Sequence, residues 1–185
     1  MTPVDFYFKY INVDYDPADI ERFLSAYPII ANRFEKIDVE TVKQLVPSIA
    51  KWFSDRRMEP TVAICINHSP GQIQEIHKDD MKEGKILAIN FPLNYQARDS
   101  VTRMYSILGE DQPKHKLVKL SVSKNPLPYF YYTEDQVKLV AEYKSISPVL
   151  VNVSQPHSAY NCTKFPRGVL TFRFKEDPWF LLDAQ

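Results

Sequence analysis

Two histidines and an aspartate are the residues of this sequence best suited to chemistry. His77 and Asp79 belong to the run IHKDD, and His157 lies far downstream in QPHSAYN. Because successive side chains of a strand alternate between its faces, His77 and Asp79 share one face if this run is extended. Two imidazoles and one carboxylate form the facial triad that holds Fe(II) and leaves coordination positions open. The sequence therefore predicts a divalent metal site on His77, Asp79 and His157.

Arg167 is the cation best placed to bind an acid beside this metal. It opens the run RGVLTFRF, ten residues after His157. We expect a hairpin returning from His157 to bring Arg167 into the same barrel, beside the metal. A guanidinium there can hold a carboxylate through two parallel hydrogen bonds. Arg173 shares that strand face and is the alternative clamp, whereas His68 is assigned to a strand end or loop rather than to the metal.

Short strands are the elements that must position these residues. Seven runs have strand character and are separated by turn residues, which indicates an antiparallel sandwich or open barrel. These runs are TVAICINH (61–68), IQEIH (73–77), KILAINFPL (85–93), SVTRMYSI (100–107), KLVKLSV (116–122), PVLVNV (148–153) and GVLTFRF (168–174). The run TEDQVKLVAEY (133–143) predicts a helix among them. The aromatic run NPLPYFYY (125–132) is either a packing segment or a lid over a pocket.

The first third of the chain is predicted to be helical. Apolar residues recur with helical spacing between 20 and 27 and again between 39 and 57. Pro47 lies inside the second pattern, so we expect it to bend or split that helix. Both helices are expected to pack on the outside of the sheet and to take no part in catalysis.

Composition and charge limit the class of function. The chain has 185 residues, with 23 Lys plus Arg and 23 Asp plus Glu, so its formal net charge is zero. That balance argues against nucleic acid or an anionic membrane as the main partner. The glycine patterns GxGxxG and GxxxxGKS/T do not occur, which excludes dinucleotide-binding and P-loop sites of those types.

The cysteines and the N-terminal run indicate a cytoplasmic protein. Cys65 and Cys162 are too few for a zinc ribbon, and we expect two buried free thiols in preference to a disulfide. The run MTPVDFYFKYINVDYD lacks the basic and apolar regions of a signal peptide. No apolar stretch approaches the roughly 18 residues that a transmembrane helix needs.

Three runs resemble segments of a known enzyme family. NHSPGQIQEIHKDD, ILAINFPLN and QPHSAYNCTKFPRGVLTFRF are similar to the Fe(II)/2-oxoglutarate-dependent oxygenases, especially compact prolyl- and aspartyl-hydroxylase-like and phage-encoded members. The resemblance covers about residues 61–175. It implies a mostly β fold with flanking helices, the cupin-like double-stranded β-helix or jelly roll. The chain would then be one domain, 1–185, with helical support in 1–60 and the jelly-roll core in 61–175.

The resemblance also implies iron on His77, Asp79 and His157, with the co-substrate 2-oxoglutarate held by Arg167. The expected activity uses dioxygen to oxidise a small-molecule or peptide substrate, usually by hydroxylation, and releases succinate and CO2. Two alternatives remain open. One is a cupin-type metalloenzyme that does not use 2-oxoglutarate, and the other is a non-catalytic jelly-roll binding domain.

Four further positions bear on the co-substrate. Many members of the family have Arg-x-Ser where this chain has Val169 two residues after the arginine, so Thr171, on the same strand face, is the candidate replacement. Asn90 and Tyr105 lie on strands that could line the pocket under this fold, and both are candidate contacts to 2-oxoglutarate.

Overall fold

The computed structural model describes residues 6–79, 86–109, 113–118 and 127–183. Within these ranges the chain forms four α-helices and twelve strands. In chain order they are β1 (Phe8–Tyr10), α1 (Pro17–Ala26), β2 (Phe34–Ile37), α2 (Val39–Leu45), α3 (Pro47–Asp55), β3 (Pro60–His68), β4 (His77–Lys78), β5 (Leu87–Pro92), β6 (Val101–Ile107), β7 (Lys114–Val118), β8 (Leu127–Tyr131), β9 (Val137–Lys144), β10 (Val149–Asn152), β11 (His157–Tyr160), β12 (Arg167–Phe174) and α4 (Phe180–Asp183).

The strands form two six-stranded antiparallel sheets that pack face to face as a double-stranded β-helix, the predicted jelly roll. The first sheet has the order β1-β10-β5-β12-β3-β2, and the second has the order β7-β8-β4-β11-β6-β9. Between them lies a small apolar core that includes Ala88 and Val151 of the first sheet and Met104 and Tyr143 of the second. This inner space is where polar side chains of both sheets can meet.

The helices cover the outer face of the first sheet. Strand β12 shows the division, because Leu170, Phe172 and Phe174 pack with the helices, whereas the alternate residues face the second sheet. The ring of Phe53 on α3 lies 4.9 Å from that of Phe172 and 5.1 Å from that of Phe174, centroid to centroid. Pro47 ends one helix and begins the next, so the predicted split is confirmed.

The helix predicted for 133–143 is wrong. Residues Glu134–Gln136 form a single 3₁₀ turn, and the chain then continues as β9, paired with the whole of β6. Thr133 and Gln136 do form the capping box that marks a helix start. Beyond that turn, pairing with β6 overrides the helical spacing, because tertiary context outweighs the small differences in intrinsic propensity.

Other expectations need smaller corrections. Strands β1 and β2 lie in the third of the chain that was predicted to be helical. The part of NPLPYFYY that the structure describes forms β8, while 119–126 lie outside the described residues. Both cysteines are free as expected, but Cys162 is exposed and only Cys65 is buried. None of the helices in the described ranges is long and apolar enough to span a membrane.

Candidate metal centre

His77, Asp79 and His157 come together on the inner face of the second sheet. His157 pairs with His77 across β11 and β4, and the ring centroids lie 4.4 Å apart. One potential ligand atom from each of the three residues lies within 4.8 Å of the other two. Adjacent ligand atoms around one ion stand roughly 3 Å apart when each bond is about 2.1 Å. Modest side-chain rotation would therefore bring all three onto one ion.

Both imidazoles present the same nitrogen to this cluster. His77 Nδ1 donates a hydrogen bond to the carbonyl oxygen of Glu75 at 2.8 Å, and His157 Nδ1 donates to that of Gln155 at 2.9 Å. Because a carbonyl can only accept, the proton lies on Nδ1, and the neutral ring keeps its lone pair on Nε2. Metal-binding histidines are typically oriented by such a bond. The backbone segment just before each strand thus fixes both rings in a form suited to a metal.

Asp79 has a cation beside it. Partial burial raises the pKa of its carboxyl, but Arg173, His157 and His77 together lower this pKa by more than burial raises it, so the net shift is downward. Arg173 donates a hydrogen bond to Asp79 Oδ2, and Asp79 Oδ1 lies 3.6 Å from His77 Nε2. Burial and the proximity of His77 lower the pKa of His157 to about 4. At neutral pH, His157 is thus neutral and Asp79 is ionised, as metal coordination requires.

Of the two glutamines before β4, one reaches the cluster. Gln74 Nε2 donates to His77 Nε2 at 3.3 Å, so this amide occupies a position beside the candidate ligand. Gln72 instead accepts a hydrogen bond from the Ser69 backbone through its Oε1.

Strand β4 is only two residues long and lies between β11 and β8, with His77 opposite Tyr131 of β8.

Arg167 is buried in the space between the sheets, with only neutral partners. Its side chain is 4% exposed. Nε donates to Ser145 Oγ at 3.1 Å, Nη2 to Thr102 Oγ1 at 3.1 Å, and Nη1 to His68 Nδ1 at 3.4 Å. No carboxylate in the described ranges forms an ion pair with this guanidinium. Burial lowers its pKa from the usual value, as expected of a cation without a counter-charge.

The route by which Arg167 enters the space between the sheets differs from the predicted hairpin. His157 and Arg167 lie in different sheets, and the guanidinium crosses from β12 to Thr102 of β6. Thr102 is two residues from Met104, which pairs with His157. The arginine and the histidine therefore approach the inner space from opposite sheets.

Asn90 lines a cavity beside Arg167, and Thr171 contacts Asn90. Thr171 Oγ1 donates to Asn90 Oδ1 at 2.9 Å, and Asn90 Nδ2 lies 3.4 Å from the hydroxyl of Tyr143. Asn90, Tyr143, Arg167 and Val169 help to line a cavity of about 10 Å³, which has room for roughly one water molecule. A larger ligand would require these side chains to move apart.

Tyr105 does not reach this cavity. Its hydroxyl lies 3.1 Å from Ser158 Oγ, and its ring packs with Tyr132 and Val137 on the outer face of the second sheet. A register shift between Met104 and Tyr105 accompanies this placement. The expected contact of Tyr105 with a co-substrate is therefore not retained.

Sequence reasoning missed four polar residues around Arg167. Tyr143 and Ser145 lie in and just after the run predicted to be a helix, so their sheet face could not be assigned. Thr102 carried no signal beyond its place in a strand. The sequence did give a signal for His68, because this residue ends a run of strong β character. In the structure the register sets His68 directly opposite Arg167.

Comparison with known proteins gives the fold. No protein-family model and no curated protein matches the chain. Three solved structures of HygX from Streptomyces hygroscopicus are similar: the apo form (12% identity, TM-score 0.52), the form with iron bound (13%, 0.51) and the form with nickel and 2-oxoglutarate bound (10%, 0.51). Each alignment covers 94% of this chain and 86% or 87% of HygX. At these identities the likeness establishes the shared jelly-roll fold.

Proposed function

We propose that the protein is a non-haem Fe(II)- and 2-oxoglutarate-dependent oxygenase of the hydroxylase type. One observation carries the proposal: a buried arginine with only neutral partners and a two-histidine, one-carboxylate cluster both face inward between the sheets. HygX, which shares the fold, has been crystallised with iron and with nickel and 2-oxoglutarate.

The donor set fits Fe(II). His77 and His157 would each supply an Nε2 lone pair, and Asp79 would supply a carboxylate oxygen. Three protein ligands on one side of an ion leave positions open for a co-substrate and dioxygen. When bound, iron would activate dioxygen, so that one oxygen atom enters the succinate formed with CO2 from 2-oxoglutarate and the other hydroxylates a substrate C–H bond.

Arg167 would hold the far carboxylate of 2-oxoglutarate. A guanidinium has five N–H donors, and three are used on Ser145, Thr102 and His68. One N–H remains on each terminal nitrogen, which suits a two-pronged bond to a carboxylate. A buried cation without a counter-charge is costly, so a bound dicarboxylate would supply the missing charge.

Asn90, Tyr143 and Thr171 would complete the co-substrate pocket. The Asn90 amide and the Tyr143 hydroxyl line the cavity beside Arg167, so both can bond to a carboxylate once it opens. Thr171 would act through Asn90, because its hydroxyl is already donated to that amide oxygen. Apolar neighbours such as Val149 and Val151 lower the local dielectric constant, which would strengthen the ionic contact.

The two alternatives explain less of the site. A cupin-type metalloenzyme that does not use 2-oxoglutarate leaves the charge of Arg167 without a purpose. A non-catalytic jelly-roll domain leaves both that charge and the paired orientation of the two imidazoles unexplained.

The proposal also includes the substrate and the compartment. The substrate would be a small molecule or a peptide, oxidised by dioxygen in the cytoplasm.

Succinate formation and ligand binding test the proposal together. The purified protein with Fe(II), 2-oxoglutarate and dioxygen should release succinate slowly even without a primary substrate. Calorimetry with redox-inert Mn(II) should show one metal site and metal-dependent binding of 2-oxoglutarate. His157→Ala should abolish both while leaving the circular dichroism spectrum unchanged, and the matched control Ser158→Ala, on the outer face, should keep both. Metal binding without 2-oxoglutarate binding would favour the cupin-type alternative.

A further inference from the structure

His68 is a buried histidine that the proposed chemistry does not use. It is the last residue of β3, is 5% exposed, and lies directly opposite Arg167 in the register of β3 and β12. Its backbone carbonyl accepts a hydrogen bond from Asn161 Nδ2, which also bonds to Ser69 and Phe165. The end of β3 is thereby tied to the turn that leads into Arg167, so the backbone of His68 is held beside that arginine.

The contact with Arg167 determines the form of the ring. An arginine can only donate, so His68 Nδ1 must accept at 3.4 Å and the proton must lie on Nε2. Burial, followed by the charges of Arg167 and of His77, lowers the pKa of His68 to about 4. The ring is therefore neutral at physiological pH and remains an acceptor for the guanidinium.

Because His68 is a neutral acceptor, it does not cancel the charge of Arg167, as an acidic residue at this position would. A carboxylate opposite Arg167 would neutralise it and compete with any acidic ligand. A histidine fixes the direction of the guanidinium and leaves its charge available. Ser145 and Thr102 bind Arg167 in the same neutral way on its other sides.

We infer that His68 is a positioning residue that aims Arg167 at the far carboxylate of the co-substrate, so that selection of a dicarboxylic 2-oxo acid over a monocarboxylic one depends on it. This inference rests on the proposed function. It predicts that loss of the Nδ1 acceptor weakens the binding of 2-oxoglutarate selectively, because the ring nitrogen of His68 bonds to Arg167.

The test compares 2-oxoglutarate with 2-oxopentanoate, which has the same chain length but lacks the far carboxylate. Affinities of both are measured by calorimetry on the Mn(II)-loaded protein. His68→Asn keeps an acceptor near the Nδ1 position, whereas His68→Gln moves the same amide to the position of Nε2. We expect His68→Asn to bind 2-oxoglutarate like the unmodified protein and His68→Gln to bind it about tenfold or more weakly. Neither variant should change the affinity for 2-oxopentanoate or for Mn(II).

The outcomes separate this inference from the proposal beneath it. If the unmodified protein does not prefer 2-oxoglutarate over 2-oxopentanoate, the proposed role of Arg167 is wrong. If it does, and His68→Gln keeps the full preference, the role given to His68 is wrong. Equal losses for both acids, or a loss of Mn(II) binding, would show a general structural effect and would also overturn the inference. His68→Phe, which has no acceptor at either position, provides a second variant with the same expected loss.

Discussion

Arg173 and Asp79 form an ion pair on the inner face of the jelly roll, so one candidate metal ligand is held by a cation of the opposite sheet. Arg173 lies on the same face of β12 as Arg167 and was the alternative clamp for the co-substrate. In the structure the two arginines have separate partners, since Arg173 contacts the carboxylate and Arg167 contacts neutral groups. The candidate metal cluster and the proposed co-substrate pocket thus each contain one arginine of a single strand.

Removal of Arg173 should weaken metal binding. Arg173→Ala leaves Asp79 free to rotate, and loss of a partner that orients a metal ligand typically lowers metal affinity by about 10–100-fold. The affinity for Mn(II) is measured by calorimetry or by competition with a chelating dye. At saturating Mn(II), 2-oxoglutarate should bind this variant almost as before. Unchanged or tighter metal binding would mean that Arg173 only competes with the ion for Asp79.

Removal of Arg167 should weaken the binding of 2-oxoglutarate and leave metal binding unchanged, the reverse of the result expected for Arg173. Arg167→Ala should weaken 2-oxoglutarate binding by roughly 30-fold or more, the lower end of the loss for one member of a buried charge pair. Mn(II) affinity should not change. Arg167→Lys should restore only part of the affinity, because an ammonium cannot make the two-pronged contact. Should Arg173→Ala cause the greater loss of 2-oxoglutarate binding, the two roles would have to be exchanged.

The metal-free protein should lose stability as the pH falls from about 6.5 towards 4. In the folded chain, burial and then the nearby charges of Arg167 and His77 hold the pKa of His68 at about 4, whereas the unfolded chain has an ordinary histidine with a pKa near 6.5. Between these two pKa values the unfolded chain binds more protons than the folded chain. The contribution of His68 to the free energy of unfolding is therefore complete above pH 6.5 and is lost as the pH falls. Its size is at most about 3 kcal/mol. Urea unfolding at pH 7.5 and pH 5 measures the change, and His68→Asn should show a smaller one.

The two thiols should differ sharply in reactivity. Burial raises the pKa of Cys65 to about 11, whereas Cys162 is exposed. Because the thiolate is the reactive form, Ellman's reagent should modify one thiol quickly in the native protein and the second only after unfolding. Cys162→Ser should remove the fast phase, and Cys65→Ser should leave it intact. Two fast phases in the native protein would contradict the burial of Cys65.

The sequence was most informative where its residues have strong local chemistry. The spacing of His77, Asp79 and His157 brought the three candidate ligands to attention, and the structure brings them within reach of one ion. Pro47 acted as a break between helices because its effect is local. Arg167 was selected for its distance from His157, although the two residues turned out to occupy different sheets.

What the sequence could not supply depends on pairing between distant strands. Tyr143 and Ser145 were hidden by a helical spacing that holds for only one turn before β6 becomes the partner. Tyr105 was expected at the pocket because its strand could line it, but which face of β6 turns inward depends on the partner strands, and Thr102 and Met104 are the residues that face inward. Neither effect is encoded in a short window of residues.

The shortness of β4 has a consequence for how the site tolerates change. Three cross-strand pairs hold it, namely His77 with His157, His77 with Tyr131, and Lys78 with Phe130, and a hydrogen bond from Tyr132 to Ile76 extends the ladder on one side. A slip of one residue would turn His77 to the outer face of the sheet, because side chains alternate along a strand. The neighbouring strands β8 and β11, rather than β4 itself, therefore keep the side chain of His77 on the inner face. Substitutions in β8, remote from His77 in the sequence, can misregister the metal centre without touching a ligand.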